Sequence, residues 1–139
     1  MEKTLVLIKP DGVRRKLVGE IIGRLEKKGL DLEKARMLVL SRAKAEEHYR
    51  DHRGKDFYEE LIQYITSGPV LAMVWSGRNA IALTRRLVGD TNPHEALPGT
   101  IRGDFALTTT ENLVHASDSP QAAQREIALF FSGEEDDRF

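Results

Sequence analysis

Three short apolar runs, at residues 5–8, 37–40 and 70–75, most constrain what this chain can fold into. Each is rich in Val, Leu, Ile or Met and nearly unbroken, the pattern of strands buried on both faces, so all three are expected as central strands of a sheet. Between the first two, Val18, Ile21, Ile22 and Leu25 recur at helical spacing, and Gly29 sits where a C-terminal cap would end that helix. Residues 43–52 and 57–65 read as two helical segments around Gly54, a helical hairpin, before Gly68-Pro69 punctuates the entry to the third run. Asn79 is placed to cap a helix that reaches Val88 and ends at Gly89. The stretch 90–104 holds Pro93, Pro98, Gly99 and Gly103 and is expected to be a long loop, a feature that is often functional in compact domains. A fourth strand is expected between 105 and 116. Ser119 and Pro120 then fit the N-cap and first turn of a last helix whose Ala123, Ile127, Phe130 and Phe131 form one apolar stripe, and the acidic tail 133–139 is expected to fray. Strands alternating with helices fit either a doubly wound parallel sheet or a compact α+β sandwich.

The length, 139 residues, suits one domain with a substantial core. With 21 Lys plus Arg against 22 Asp plus Glu the formal charge is −1, which gives no global attraction to nucleic acid or an anionic membrane. The absence of cysteine excludes disulfides, thiolate catalysis, Cys-ligated zinc and iron–sulfur clusters. No apolar run is long enough to span a bilayer, and the start of the chain lacks a secretion signal, so a cytoplasmic protein is expected.

Neither a GxxxxGK[ST] loop nor a GxGxxG fingerprint occurs among the 11 glycines, so side chains must hold any bound phosphate. The candidates are Lys9, Arg85 and Arg102. Taken singly, each reads better as a solvated strand end, a polar helix face or a loop salt bridge; Lys9 rises above that reading because Lys9-Pro10-Asp11-Gly12 places a cation and a turn directly after a buried strand. Of four histidines, His48 and His52 lie four apart on an expected helix, but Tyr49-Arg50-Asp51 between them lacks the glutamate of HExxH. They are read as a polar helix face, with no metal site. His94, in the loop, is expected to be solvated. His115 lies in a crowd of polar groups with Asn112, Ser117, Asp118 and Ser119, between a strand and a helix start, and is the candidate nucleophile or base. Glu126 falls on or beside the apolar stripe of the last helix, where a carboxylate needs a partner. That partner is Arg125 or another surface cation in one reading and the His115 imidazole in the other.

The segments IKPDGV at 8–13, LVGEII at 17–22, NPHEALPGTIRGDF at 92–105 and NLVHASDS at 112–119, in this order, resemble the nucleoside diphosphate kinases through nearly the whole chain. The resemblance implies a ferredoxin-like α+β fold with an antiparallel four-stranded sheet and an inserted helical hairpin. It also implies ping-pong transfer of a γ-phosphoryl group through a phosphohistidine at His115, with broad base specificity and with Mg2+ bound chiefly by the nucleotide. Carried over residue by residue, it assigns the chemistry to His115, Lys9, Tyr49, Asn112, Ser117 and Glu126. The nucleotide falls to Lys9, Phe57, Leu61, Arg85, Thr91, Arg102 and Asn112. Nucleoside tri- and diphosphates are the implied partners, without a requirement for nucleic acid, in a homo-oligomer for which a hexamer is favoured over a tetramer. Two rivals on the same fold are a non-catalytic nucleotide sensor, which has no need of the His115 assembly, and a phosphohydrolase that releases the phosphoryl group to water.

Overall fold

The computed structural model describes residues 1–132; the acidic tail expected over 133–139 lies outside them. Four strands, β1 (Glu2–Ile8), β2 (Asp31–Leu38), β3 (Val70–Gly77) and β4 (Val114–Ala116), form one sheet in the order β2-β3-β1-β4, with every neighbouring pair antiparallel. That pairing excludes the doubly wound parallel alternative. Seven α-helices complete the described residues: α1 (Pro10–Arg14), α2 (Val18–Lys28), α3 (Arg42–His48), α4 (Tyr58–Ile65), α5 (Ala80–Val88), α6 (Ile101–Phe105) and α7 (Pro120–Phe131), with a 3-10 turn at Arg50–His52.

Side chains alternate across the sheet, and both faces are covered. Val6 and Ile8 of β1 join Met73, Trp75, Ile21, Leu25 and Val88 under α2 and α5. Leu5 and Leu7 join Ala72, Val74, Ala45, Ile62, Ile65 and Phe130 under the α3–α4 hairpin and α7. Double coverage explains why β1 and β3 read as unbroken apolar runs. The same alternation places Val114 and Ala116 in the first core, while His115, paired opposite Leu7, faces the second, beneath α3 and α7.

Four expectations are corrected. The second strand is not central: β2 lies at the sheet edge, spans 31–38 and leaves Met37 53 % exposed, with Val39 just beyond it 62 % exposed. Its apolar run resembles those of β1 and β3 in composition, but only β3 pairs with it. The stretch 90–104 is not all loop, because Thr100 accepts the Gly103 N–H (3.0 Å) and caps the one-turn helix α6. Pro10, pre-set for a first helical turn, likewise makes residues 10–14 a short helix and not a simple turn. Asn79 does occupy the N-cap of α5, but without a side-chain bond; the Glu2 carboxylate accepts the Ile81 N–H (2.9 Å) in its place.

Candidate active site

The chain leaves β1 at Lys9, whose N–H donates to the Leu113 carbonyl (2.8 Å) and so joins the start of α1 to the segment entering β4. The Lys9 ammonium is buried and donates to Asn112 Oδ1 (2.8 Å); Asn112 Nδ2 donates in turn to the Thr91 carbonyl (3.1 Å). Burial, with the Arg102 charge adding to it against the opposing effect of Asp11, lowers the Lys9 pKa to about 7. Leu113 between them holds a left-handed φ of 78°, a strained state for a branched side chain, at the step from Asn112 to the strand of His115.

Arg102 is folded back under this segment. Its guanidinium is buried and donates to the carbonyls of Gly89 (3.0 Å), Val114 (2.6 Å) and Asn112 (3.4 Å), while burial and the Arg85 charge pull its pKa down to about 10. Two glycines permit the close approach. A Cβ on Gly103 would lie 2.0 Å from the Leu97 carbonyl oxygen, and Gly89 takes a φ of 94° with Thr100 directly against it. Arg85, exposed on α5, donates to the Ala116 carbonyl (3.0 Å), so its guanidinium also sits at β4.

His115 stands on β4 with its Nε2 3.0 Å from Glu126 Oε1. The same oxygen accepts the buried Ser117 hydroxyl (2.6 Å), whose Oγ also takes the Leu5 N–H (3.3 Å). Arg125 reaches the other Glu126 oxygen only at 3.9 Å, so of the two partners weighed from sequence the imidazole is the closer. Burial alone would raise the Glu126 carboxyl; the bonds from His115 and Ser117 and the Arg125 charge hold it below the ordinary carboxylate value. An ionised Glu126 fixes the proton on Nε2 and leaves the Nδ1 lone pair of His115 uncommitted.

Most of the residues expected in the site therefore fall into two hydrogen-bonded groups on either side of β4, Lys9, Asn112, Thr91 and Arg102 in one and His115, Ser117 and Glu126 in the other, with Arg85 bonded to the strand between them. Tyr49 is buried beside it, its phenol raised by burial and its hydroxyl without a partner. Phe57, 44 % exposed at the N-cap of α4, follows His52 at 5.6 Å between ring centroids, and His52 follows Tyr49 at 5.9 Å. Leu61 is half-buried against the hairpin core. His94 is exposed, as expected. His48 contradicts its reading as part of a polar face: it is 5 % exposed, with its ring against His115. The signal was present, since His48 shares the Ala45–Tyr49 side of α3, but its polar type concealed it. Also missed was the tie between hairpin and site, where the Tyr64 hydroxyl donates to the Asp11 carboxylate and accepts the Asp11 N–H (3.0 Å).

An antiparallel α+β domain that carries an imidazole with one uncommitted nitrogen on a short strand, with two arginines bonded to that strand's carbonyls, a buried lysine bonded to the segment entering it and no glycine-rich loop, is of the class suited to phosphoryl transfer. The comparisons make this particular. A family model described as nucleoside diphosphate kinase matches residues 2–135. The nucleoside diphosphate kinase of Archaeoglobus fulgidus is 62 % identical over 97 % of this chain and 89 % of that protein, and the one of Bacillus licheniformis is 58 % identical over 97 % and 91 %. Among solved structures, the nucleoside diphosphate kinase of Encephalitozoon cuniculi superposes with a TM-score of 0.93 at 42 % identity, covering 94 % of this chain and 89 % of that one. The chain belongs to the nucleoside diphosphate kinase family. It is an enzyme that moves a γ-phosphoryl group from a nucleoside triphosphate to a nucleoside diphosphate in two ping-pong half-reactions, and its sheet with flanking helices is the ferredoxin-like one.

The depressed Lys9 pKa carries a prediction. With a value near 7, the Lys9 side chain is mostly the neutral amine at pH 8 in the free protein; a polyphosphate bound beside it favours the charged form and draws in a proton. Calorimetric titration of a nucleotide at pH 8, repeated in buffers of different ionisation enthalpy, is expected to show net proton uptake that disappears in Lys9→Met. The sign for folding is the opposite: between pH 7 and 10.5 the unfolded chain binds more protons at this residue, so folding releases a proton and the residue's contribution to stability rises with pH across that window. Buffer-independent binding heats would contradict the assignment.

Proposed function

We propose that the phosphoryl group passes through Nδ1 of His115. The observation that carries this reading is the Nε2 bond to Glu126, because it commits one nitrogen as a donor and leaves the other as a neutral nucleophile. A neutral imidazole nitrogen is itself a nucleophile and needs no strong base to activate it. In the first half-reaction the Nδ1 lone pair forms a bond to the γ-phosphorus while the bond from phosphorus to the β,γ-bridging oxygen breaks, its electron pair leaving with the diphosphate. The ring gains positive charge, and the Nε2–H bond to Glu126 strengthens as that charge develops. The second half-reaction reverses the step, with a terminal oxygen of another diphosphate as nucleophile.

Lys9, Arg85 and Arg102, with Thr91, Asn112 and Tyr49, hold the phosphates and ribose, and their charges oppose the charge on a loosely bonded transferring group. Phe57 offers a ring face and Leu61 an apolar edge to the base. A ring face accepts purines and pyrimidines alike, which supports broad base specificity. Mg2+ belongs to the substrate in this reading. The carboxylate nearest the nucleophile, Glu126, is engaged by His115, Ser117 and Arg125, so among the described residues the donor set suits an ion brought on the nucleotide's phosphates. The chain works as a homo-oligomer, with a hexamer favoured; the unpaired β2 edge with exposed Leu32 and Met37, and exposed Val39 just beyond it, supports self-association. No helix among the described residues is long and apolar enough to cross a membrane, and a cytoplasmic location fits that.

The test is to mix the protein with Mg2+ and γ-labelled ATP without an acceptor, map an acid-labile, base-stable label, then add GDP. Label on His115 that moves to GDP is the expected result. Label elsewhere would remove His115 from this role, and label lost only as free phosphate would favour a hydrolase.

A further inference from the structure

The Glu126 bond settles which nitrogen of His115 carries the proton, but it does not settle the plane of the ring. The Cβ–Cγ axis about which the imidazole turns passes nearer Nε2 than Nδ1, so rotation swings Nδ1 while changing the Nε2 contact less. The intrinsic torsion profile at this bond is broad and holds no narrow minimum. Another contact must aim Nδ1.

His48 makes that contact. Its ring stands edge-on to the His115 ring, centroids 4.6 Å apart and planes at 85°. It is clamped in turn by Tyr49, at 4.6 Å, and by Phe130 of α7, at 5.5 Å. Neither of its nitrogens has a hydrogen-bond partner, so the ring is held by packing alone and transmits position by its shape. Burial, with the charges of His115, Lys9 and Arg125, holds its pKa well below the ordinary value, so it does not compete with His115 for the Glu126 carboxylate as a cation.

We propose that His48 is a positioning residue whose ring wall fixes the plane of the His115 imidazole and hence the line along which Nδ1 meets phosphorus. The proposal rests on the reading of His115 as the phosphoryl carrier, and the two fail separately. If wild-type protein takes no label at His115, the carrier reading is lost whatever His48 does.

Given normal loading of the wild type, His48→Ala is expected to slow loading from ATP and discharge to a diphosphate by the same factor, about 10- to 100-fold, because a misaimed nucleophile affects both directions equally. The dissociation constant for ADP with Mg2+ is expected to stay unchanged, which separates this loss from damage to the nucleotide pocket. His48→Phe, which restores a ring wall without nitrogens, is expected to recover most of the rate. A His48→Ala protein with wild-type half-reactions overturns the proposal. So does a His48→Phe protein of equal Tm that is as slow as His48→Ala, since the role would then belong to the ring nitrogens. A crystal structure of His48→Ala gives a reading that does not depend on the second variant: a rotated or spread His115 ring is expected, and an unchanged plane overturns the assignment.

Discussion

His115→Ala is expected to abolish phosphoryl exchange, lowering kcat by at least about 10⁴-fold, because a covalent carrier has no substitute once its nucleophilic atom is gone. The protein should still fold. His115 is only half-buried, and its removal leaves Glu126 with the Ser117 hydroxyl at 2.6 Å and Arg125 at 3.9 Å. A stability loss of about 1–2 kcal/mol is expected from the lost hydrogen bond to a buried carboxylate. Nucleotide binding should persist, since Lys9, Arg85 and Arg102 take none of their hydrogen bonds from His115. Steady-state exchange, urea unfolding and nucleotide titration on one preparation check all three statements; normal turnover would remove His115 as the carrier.

Arg102→Ala is expected to cost both activity and stability, and the stability loss is the larger departure from what a surface arginine would show. Three carbonyls, from Gly89, Asn112 and Val114, share this one guanidinium. Removing it leaves buried acceptors unsatisfied at about 1–3 kcal/mol each, so a total near 3–5 kcal/mol is reasonable once water reaches some of them. The phosphoryl-transfer rate should fall by about 10²–10³-fold, through lost charge and through slack in the segment that carries Asn112. Arg85→Ala is the control. Exposed, with one carbonyl bond to Ala116, it should lose activity with little change in the urea midpoint. An unchanged midpoint for Arg102→Ala would show that its three bonds do not tie the loop to β4.

The two variants differ in how far sequence reasoning could reach them. His115 stood out from its neighbours alone, since polar residues packed between a strand and a helix start are a local signal. Glu126 was legible as a carboxylate on an apolar stripe, but two partners remained open until α7 was seen to lie over the face of β4 that carries His115. Arg102 looked like any loop cation. Its three acceptors come from residues 89, 112 and 114, and only the folding back of α6 brings them to one guanidinium. The run 37–40 shows the converse failure, because composition reports apolar content but not how many neighbours a strand has. β2 has one.

His48 marks the limit most sharply. Helical spacing put it beside Ala45 and Tyr49, yet residue type argued for solvent, and the contact that reverses the reading comes from β4 and α7, more than sixty residues away. What the sequence by itself determined were β1, β3 and the longer helices α2, α4, α5 and α7, through periodicity, caps and prolines, together with the residue types able to bind phosphate; the short helices α1 and α6 and the bounds of β2 were not among them. Those signals act within a few residues of chain. Which face each strand presents, which strand lies at the edge and which side chains share a hydrogen bond were decided by the tertiary structure. They depend on contacts between segments distant in sequence, and such contacts exist only once the sheet has paired and both of its faces are covered.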